Sequence, residues 1–494
     1  MGGELTNPNK YDKDVLSVFS VGDNSYGNIT YLNKKELNIK KLFFNNYYQF
    51  FAIDVNNNLY SWGLNNYYQL ANGNKSNYLF NTNESSSKKT NETNFSIISN
   101  TSENTLSKTI KSIGKIFPSP SPIPIPVAKI KSISCGDGFT LFLDTDGKVY
   151  SVGRNDKGQL GYELNNNSAQ FVDGIKCNNK VTLIDFFVKK MIKIQKIACG
   201  SDFSFALEFL NTSIDVDFNN LRLTQKIPEE LFAWGNNELH QLGIEEKKYK
   251  YYFTPTKANL VNKILNKQKT KIKNLVCGWS HACLLAENDN VYLWGNPFKE
   301  YNKKYQDIET PININNMKNV TKIISISSGY NHIAILCLSL KKQNLVELYT
   351  YGANEFGQLG YPTDEVYIDK FNKVNIPKSE VNENLHITKV ECGACHTIVQ
   401  MGSNLIYGFG QNNCKQIGNY NEEFLTTPKK WNYIMNVDSD KTLYDIKCSN
   451  DITCLLFKNK SDIENKDNTN KANNTKNEFE IQVNSFITED MPLK

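Results

Sequence analysis

Apolar and polar positions alternate in short runs along most of this chain, and the runs are bounded by glycine or asparagine. Such period-two alternation predicts half-buried β-strands, with Gly and Asn marking the turns between them. One run recurs seven times, in loose or full form, as apolar–Tyr/Phe–x–aromatic–Gly, usually followed by x–Asn. The copies are Phe19-Ser-Val-Gly22-Asp-Asn24, Leu59-Tyr-Ser-Trp-Gly63-Leu-Asn65, Val149-Tyr-Ser-Val-Gly153-Arg-Asn155, Leu231-Phe-Ala-Trp-Gly235-Asn-Asn237, Val291-Tyr-Leu-Trp-Gly295, Leu348-Tyr-Thr-Tyr-Gly352-Ala-Asn354 and Ile406-Tyr-Gly-Phe-Gly410-Gln-Asn412. Four of them continue into a Gln-Leu/Ile-Gly tail ending at Gly161, Gly243, Gly360 and Gly418. Self-similarity at this period is the mark of a repeat architecture.

A second half-motif, apolar–x–Cys/Ser–Gly–x–x–His/Phe, precedes these steps. It carries Gly136, Gly200, Gly278, Gly329 and Gly393, with Phe139, Phe203, His281, His332 and His396 three residues later. Phe139 to Gly153, His281 to Gly295 and His396 to Gly410 are each 14 residues apart. The same distance back from Gly63 reaches Gln49, inside a degenerate copy at 43–53 that has lost its glycine. Glycines at fixed phase predict positive φ or close backbone approach. Asp146-Gly147 predicts a hairpin turn. Residues 260–273 form a polar, helix-like stretch between repeats.

The chain ends decide between an open array and a ring. The step at Gly22 has no Cys-Gly half before it, and the half at Ile446-Lys-Cys448, running on to Ile452 and Phe457, has no step after it. Pairing these two orphans uses every piece and removes the exposed sheet edge of a linear array. The expected fold is therefore all-β: a seven-bladed β-propeller closed by its N- and C-terminal half-repeats, with low-complexity loop inserts. Val149–Gly161 and Leu348–Gly360 resemble, nearly in full, the Tyr–x–Trp–Gly–x–Asn–x–x–Gly–Gln–Leu–Gly signature of the RCC1-like (regulator of chromosome condensation) repeat propellers. The resemblance implies the propeller fold and two family activities. These are guanine nucleotide exchange on a Ran-type small GTPase and association with chromatin. No exchange residue of the family maps onto a position here.

By length, 494 residues would suggest several domains, but one propeller at 15–457 absorbs most of them. Residues 1–14 are expected to be flexible and 458–494 to be a polar, disordered tail. The inserts fall at 74–126, 164–190 and 208–230; the first ends in a proline-rich, polyproline-like run. Residues 164–190 are apolar enough to pack, and as a loop insert they are the expected wedge if the chain acts on a GTPase. Net charge is +5, so no global field announces a nucleic acid or a membrane. Arg154 and Arg222 are the only arginines, which disfavours bidentate reading of bases. No apolar run reaches transmembrane length and no secretory core follows Met1. Met1-Gly2 and Thr6 fit the N-myristoylation pattern, making Gly2 a candidate for lipidation and for peripheral membrane contact.

Catalytic chemistry is not visible. Cys392-Gly-Ala-Cys395-His396 reads as a haem-attachment pattern, yet Cys392, Gly393 and His396 only repeat the phase of Cys277, Gly278 and His281. Cys135, Cys199, Cys277, Cys392 and Cys448 occupy one repeat position, so they are expected as separate buried thiols in a reducing compartment. The repeat-phase histidines are expected to donate ring N–H bonds to carbonyls of a neighbouring strand. Thr254-Pro255, Thr310-Pro311 and Thr427-Pro428 fit proline-directed phosphorylation or, more simply, proline at the start of a strand. No catalytic residue, cofactor or metal ligand is expected. The chain reads as a monomeric protein-interaction scaffold, cytoplasmic or nuclear, with exchange factor as the alternative.

Overall fold

A computed structural model describes residues 17–23, 39–44, 47–54, 58–72, 116–122, 130–209, 229–245, 249–297, 308–313, 320–341, 345–377, 386–432 and 441–459. Strand β1 (Ser17–Gly22) opens the chain but belongs to the last blade. Blade one is β2 (Ile39–Phe44), β3 (Gln49–Asp54), β4 (Leu59–Leu64) and β5 (Ile116–Pro122). Blade two is β6 (Ile130–Gly136), β7 (Phe139–Asp144), β8 (Val149–Arg154), then β10 (Ile175–Leu183) and outermost β9 (Gln170–Val172). Blade three is β11 (Ile194–Cys199), β12 (Phe203–Glu208), β13 (Leu231–Asn236) and β14 (Tyr251–Lys257). Blade four is β15 (Ile272–Cys277), β16 (His281–Ala286), β17 (Val291–Gly295) and β18 (Ile308–Asn313). Blade five is β19 (Val320–Ser328), β20 (His332–Ser339), β21 (Val346–Ala353) and β22 (Tyr367–Val374). Blade six is β23 (Ile387–Cys392), β24 (His396–Met401), β25 (Leu405–Gln411) and β26 (Phe424–Lys430). Blade seven is β27 (Lys441–Ser449), β28 (Ile452–Asn459) and β1.

The first strands touch in unbroken succession, β2 to β6, β11, β15, β19, β23 and β27, and β27 touches β2. That is a closed ring of seven antiparallel sheets around one axis. β1 pairs with β28 from Ser17 opposite Phe457 to Gly22 opposite Ile452, so the two ends of the chain share a sheet. The 14-residue spacing has a simple cause: it places the step glycine directly across the hairpin from the His/Phe position. Gly153 faces Phe139, Gly295 faces His281, Gly410 faces His396, and the degenerate copy obeys the same register, with Gly63 facing Gln49.

Fourth strands come from segments that sequence alone misassigns. Residues 116–122, inside the proline-rich insert, are the outer strand of blade one. Residues 164–190 are not a free wedge: they supply β9, β10 and helix α1 (Asp185–Lys189). Phe187 of α1 is buried against Phe232 and Trp234, with ring centroids 5.6 and 5.9 Å apart. Pro255 and Pro428 lie within outer strands rather than at their start, as does Pro311. Each sits where the ladder is interrupted opposite the step aromatic: Pro255 at Trp234, Pro311 at Trp294 and Pro428 at Phe409. An edge-strand bulge needs no N–H at that point, which is why proline is tolerated there. The helix-like stretch is α2 (Asn259–Gln268), stopped by Lys269 in a left-handed conformation, with Val261 and Leu265 packed into the core. Residues 210–228 and 460–494, which include most of the third insert and the tail, lie outside the described residues, as do Gly2 and the first part of the first insert.

Candidate functional site

Every residue type in the repeat has a structural task, and those tasks isolate what is left for function. The Asn after the step glycine accepts the backbone N–H of the Leu/Ile five residues on: Asn65 from Leu70 (2.9 Å), Asn155 from Leu160 (3.0 Å), Asn354 from Leu359 (3.0 Å) and Asn412 from Ile417 (3.0 Å). The Gln of the tail then joins blades through its carbonyl. Gln159 receives Ser204 Oγ (3.0 Å) and Trp234 Nε1 (2.9 Å) from blade three, and Gln241 receives Trp294 Nε1 (2.9 Å) from blade four. Gln358 and Gln416 receive Thr397 Oγ1 (2.9 Å) and Thr453 Oγ1 (2.7 Å).

The step glycines Gly22, Gly63, Gly153, Gly235, Gly295, Gly352 and Gly410 all have positive φ, and at Gly153 an added Cβ would stand 2.4 Å from the carbonyl of Gly138. In the other half-motif, Gly278 leaves room for the imidazole of His281, 2.1 Å from where a Cβ would be; Gly329 and Gly393 do the same for His332 and His396, and Gly136 and Gly200 for Phe139 and Phe203. The histidines' Nε2 atoms do not bond carbonyls. They meet hydroxyls of the next blade: Ser328 (3.0 Å), Thr397 (3.0 Å) and Thr453 (3.1 Å). Each hydroxyl spends its own proton on a carbonyl, so Nε2 carries the hydrogen of a neutral ring. Burial lowers the three imidazoles to about 3, His332 adding to the effect on the other two. Cys135, Cys199, Cys392 and Cys448 are buried free thiols and Cys277 is half-buried. Among the described residues no cluster of His, Cys, Asp and Glu is placed to hold a metal.

What remains is one end of the central channel, where the turns between first and second strands converge. The first residue of each Gly-x-x-His turn stands at the axis: Tyr47, Asp137, Ser201, Trp279, Tyr330, Ala394 and Asn450. Backbone bonds run from turn to turn: Asp137 N–H to Ser201 O (2.7 Å), Trp279 to Tyr330 (2.9 Å), Tyr330 to Ala394 (3.0 Å) and Ala394 to Asn450 (2.9 Å). Tyr47 of blade one reaches across to blades four and five. Its ring lies 6.2 Å from Trp279 and 5.9 Å from Tyr330, and those two are 4.9 Å apart. The trio obstructs the channel at this end. Tyr330 Oη donates to Asn450 Oδ1 (2.6 Å) and Tyr48 Oη to Asp451 Oδ2 (3.2 Å), fixing the plug to blade seven.

Carboxylates surround the aromatics. Arg154 binds Asp156 through two nitrogens (2.7 and 2.8 Å) and Asp137 through a third (3.3 Å), with its guanidinium 5.8 Å from the centre of the Tyr67 ring. Lys157 pairs with Asp202, which also accepts from Asn236 Nδ2 (2.9 Å). Burial pushes the carboxyls of Asp137 and Asp451 above the usual range, opposed at Asp137 by Arg154 and at Asp451 by Tyr48. The arrangement holds charges and rings ready for a partner but aligns no nucleophile with a base. Sequence reasoning missed Tyr47, Trp279 and Tyr330 because they fill the variable position of the half-motif. The available signal was aromatic residues at that position in three blades.

Comparison with known proteins agrees with this geometry. The family described as "Regulator of chromosome condensation (RCC1) repeat" matches residues 130–159 and 272–299 in one form and 146–207, 229–285 and 347–400 in another. The chain is 26% identical over 331 residues to the human probable E3 ubiquitin-protein ligase HERC3, covering 58% of this chain and 28% of that protein. It is 25% identical over 303 residues to the guanine nucleotide exchange factor SRM1 of Saccharomyces cerevisiae, covering 59% of this chain and 58% of that one. The chain thus spans well under two thirds of these relatives' lengths. The crystal structure of Prp20p from the same yeast superposes with a TM-score of 0.61 at 17% identity, covering 93% of this chain and 95% of that one. The matched stretches are RCC1 repeats, and the fold they help to build is the seven-bladed propeller of the RCC1-type structures.

Proposed function

We propose that this propeller is a protein-interaction scaffold whose partner docks on the channel end formed by the Gly-x-x-His turns. The observation that carries the reading is the set of half-exposed aromatic and carboxylate groups there: Trp279, Tyr330, Asp137 and Asp451. Most blade-to-blade bonding is provided by the backbone and by the Gln, Thr and His contacts; the polar groups among these side chains are tied to Arg154, Asn450 and Tyr48, yet all four residues keep part of their surface in solvent for recognition. A partner with a basic surface and an apolar anchor complements them. Affinity capture with the intact chain and with Asp137→Asn/Asp451→Asn tests this. A defined partner retained by the first and lost by the second supports it; identical captures from both refute it.

A second reading, guanine nucleotide exchange on a Ran-type GTPase, is favoured by the match to SRM1 and by the Prp20p fold, a protein reported to bind Gsp1p and histones. Exchange works by displacing nucleotide contacts, not by covalent chemistry, so it fits a site without a catalytic group. Release of labelled GDP from such a GTPase should accelerate in the presence of micromolar propeller; an unchanged rate removes this reading. The proposal includes a single chain in solution, cytoplasmic or nuclear residence, and acylation at Gly2, while chromatin association belongs to the second reading.

A further inference from the structure

The opposite end of the channel has the opposite charge. Near its beginning every first strand is interrupted in its pairing with the second, once in six blades and twice in β19, and each interruption leaves one extra residue. Lysine fills or neighbours such an interruption in five successive blades: Lys40 and Lys41 in β2, Lys131 in β6, Lys196 in β11, Lys273 in β15 and, at the earlier of its two, Lys322 in β19. A bulge re-aims the side chain it carries. Here the result is a chain of ammonium groups bridging neighbouring strands. Lys196 Nζ donates to the carbonyl of Lys273 in the next blade (3.1 Å), and Lys273 Nζ to that of Ile323 in the one after (3.0 Å).

In blade six the equivalent lysine, Lys389, is instead paired with Asp445 and with Glu391 (3.1 Å). The basic arc therefore covers blades one to five and stops. Three carboxylates temper it: Glu229, which Lys271 approaches at 3.6 Å, Asp289, which Lys273 approaches at 3.9 Å, and Glu287. Partial desolvation draws Lys196 and Lys273 below the ordinary lysine value, and Lys131 and Lys322 respectively act in the same sense against those carboxylates. Like charges crowded from separate blades repel one another, and a multivalent anion relieves that repulsion.

We propose that this arc, from Lys40 to Lys322, is a binding site for a compact polyphosphate anion of the inositol polyphosphate class. Lysine acts as a strongly hydrated point charge, suited to phosphate groups met from several directions. The ammonium groups curve around an axis instead of lining a straight groove, which matches a small anion charged all round better than an extended acidic peptide. The aromatic trio at the far end obstructs the channel, so a ligand enters from the lysine side and stops there.

Calorimetric titration of the full chain with inositol hexakisphosphate tests the site, beside Lys196→Glu/Lys322→Glu and, as a control on an outer loop, Lys250→Glu. Lys196, Lys322 and Lys250 are exposed, so the fold should tolerate all three changes; unchanged thermal melting of each variant verifies this. The expected result is saturable binding that weakens by about tenfold or more in the double variant, is unaffected in the control, and declines with added salt. Should the charge reversals unfold the chain, Lys322→Gln alone must still weaken binding. No saturable binding at millimolar ligand, equal binding by the folded double variant, or tighter binding of a polyglutamate peptide of matched charge overturns the proposal.

Discussion

At the scale of single residues, the repeat signature is a wiring diagram between blades. His281, His332 and His396 each donate to a hydroxyl of the next blade and stay neutral, with Nδ1 buried and unpartnered. Their native values, lowered by burial to about 3, lie far below the 6.5 of the unfolded chain. The unfolded state therefore takes up protons first as the solution is acidified. The stabilising effect is complete above pH 6.5 and is lost as pH falls from there towards 3. At pH 5.5 the loss depends only on the unfolded value, because native protonation is still negligible, and comes to about 1.4 kcal/mol per histidine, or about 4 kcal/mol for three. Urea unfolding at pH 8 and pH 5.5 should show this difference. Blade one supplies the control, since Gln49 takes the same place, giving Nε2–H to Gly136 O (2.8 Å) and accepting from Thr140 Oγ1 (2.9 Å). Replacing all three histidines by Gln should remove most of the pH 5.5 loss; an undiminished loss would assign the acid sensitivity to other groups.

At the scale of elements, the inner three strands of each blade were legible and the outer one was not. Inner strands are fixed twice over, by fully buried runs such as Phe139–Asp144 and by glycines in register with the partner position. Outer strands have one neighbour and one free edge, so their alternation fades: Phe424–Lys430 exposes four of its seven residues, and Tyr251–Lys257 carries proline at the bulge. A proline lowers any strand assignment from sequence, yet here it marks where the ladder is already broken. The same blindness turned residues 116–122 into an insert and 164–190 into a wedge. The candidate site was hidden for a different reason. Trp279 and Tyr330 belong to positions that the repeat leaves variable, and their meeting with Tyr47 depends on opposite blades facing one another across the axis, which no local pattern encodes.

At the scale of the molecule, closure is the event on which the other contacts depend. β28 has β27 on one side and, in the absence of β1, an open edge on the other, while Asp23 N–H bonds to Asp451 O (2.9 Å) beside the channel. Joining chain ends so distant in sequence costs loop-closure entropy that grows only logarithmically with length, and the reward is that β28 no longer presents an unpaired edge. Two variants separate the loss of residues from the loss of closure. Deletion of residues 1–22 removes β1 and should lower the melting temperature by about 10 °C or more, or leave the chain aggregated, as an unpaired strand edge invites association. A circular permutant that links Asn459 to Ser17 through a short flexible connection, and opens the chain between Phe209 and Glu229, keeps every described strand in its sheet. It should melt within about 5 °C of the natural chain, because every described strand keeps its neighbours. A deletion variant as heat-resistant as the full chain, with the permutant unfolded, would mean that the β1–β28 pair is not what seals the ring.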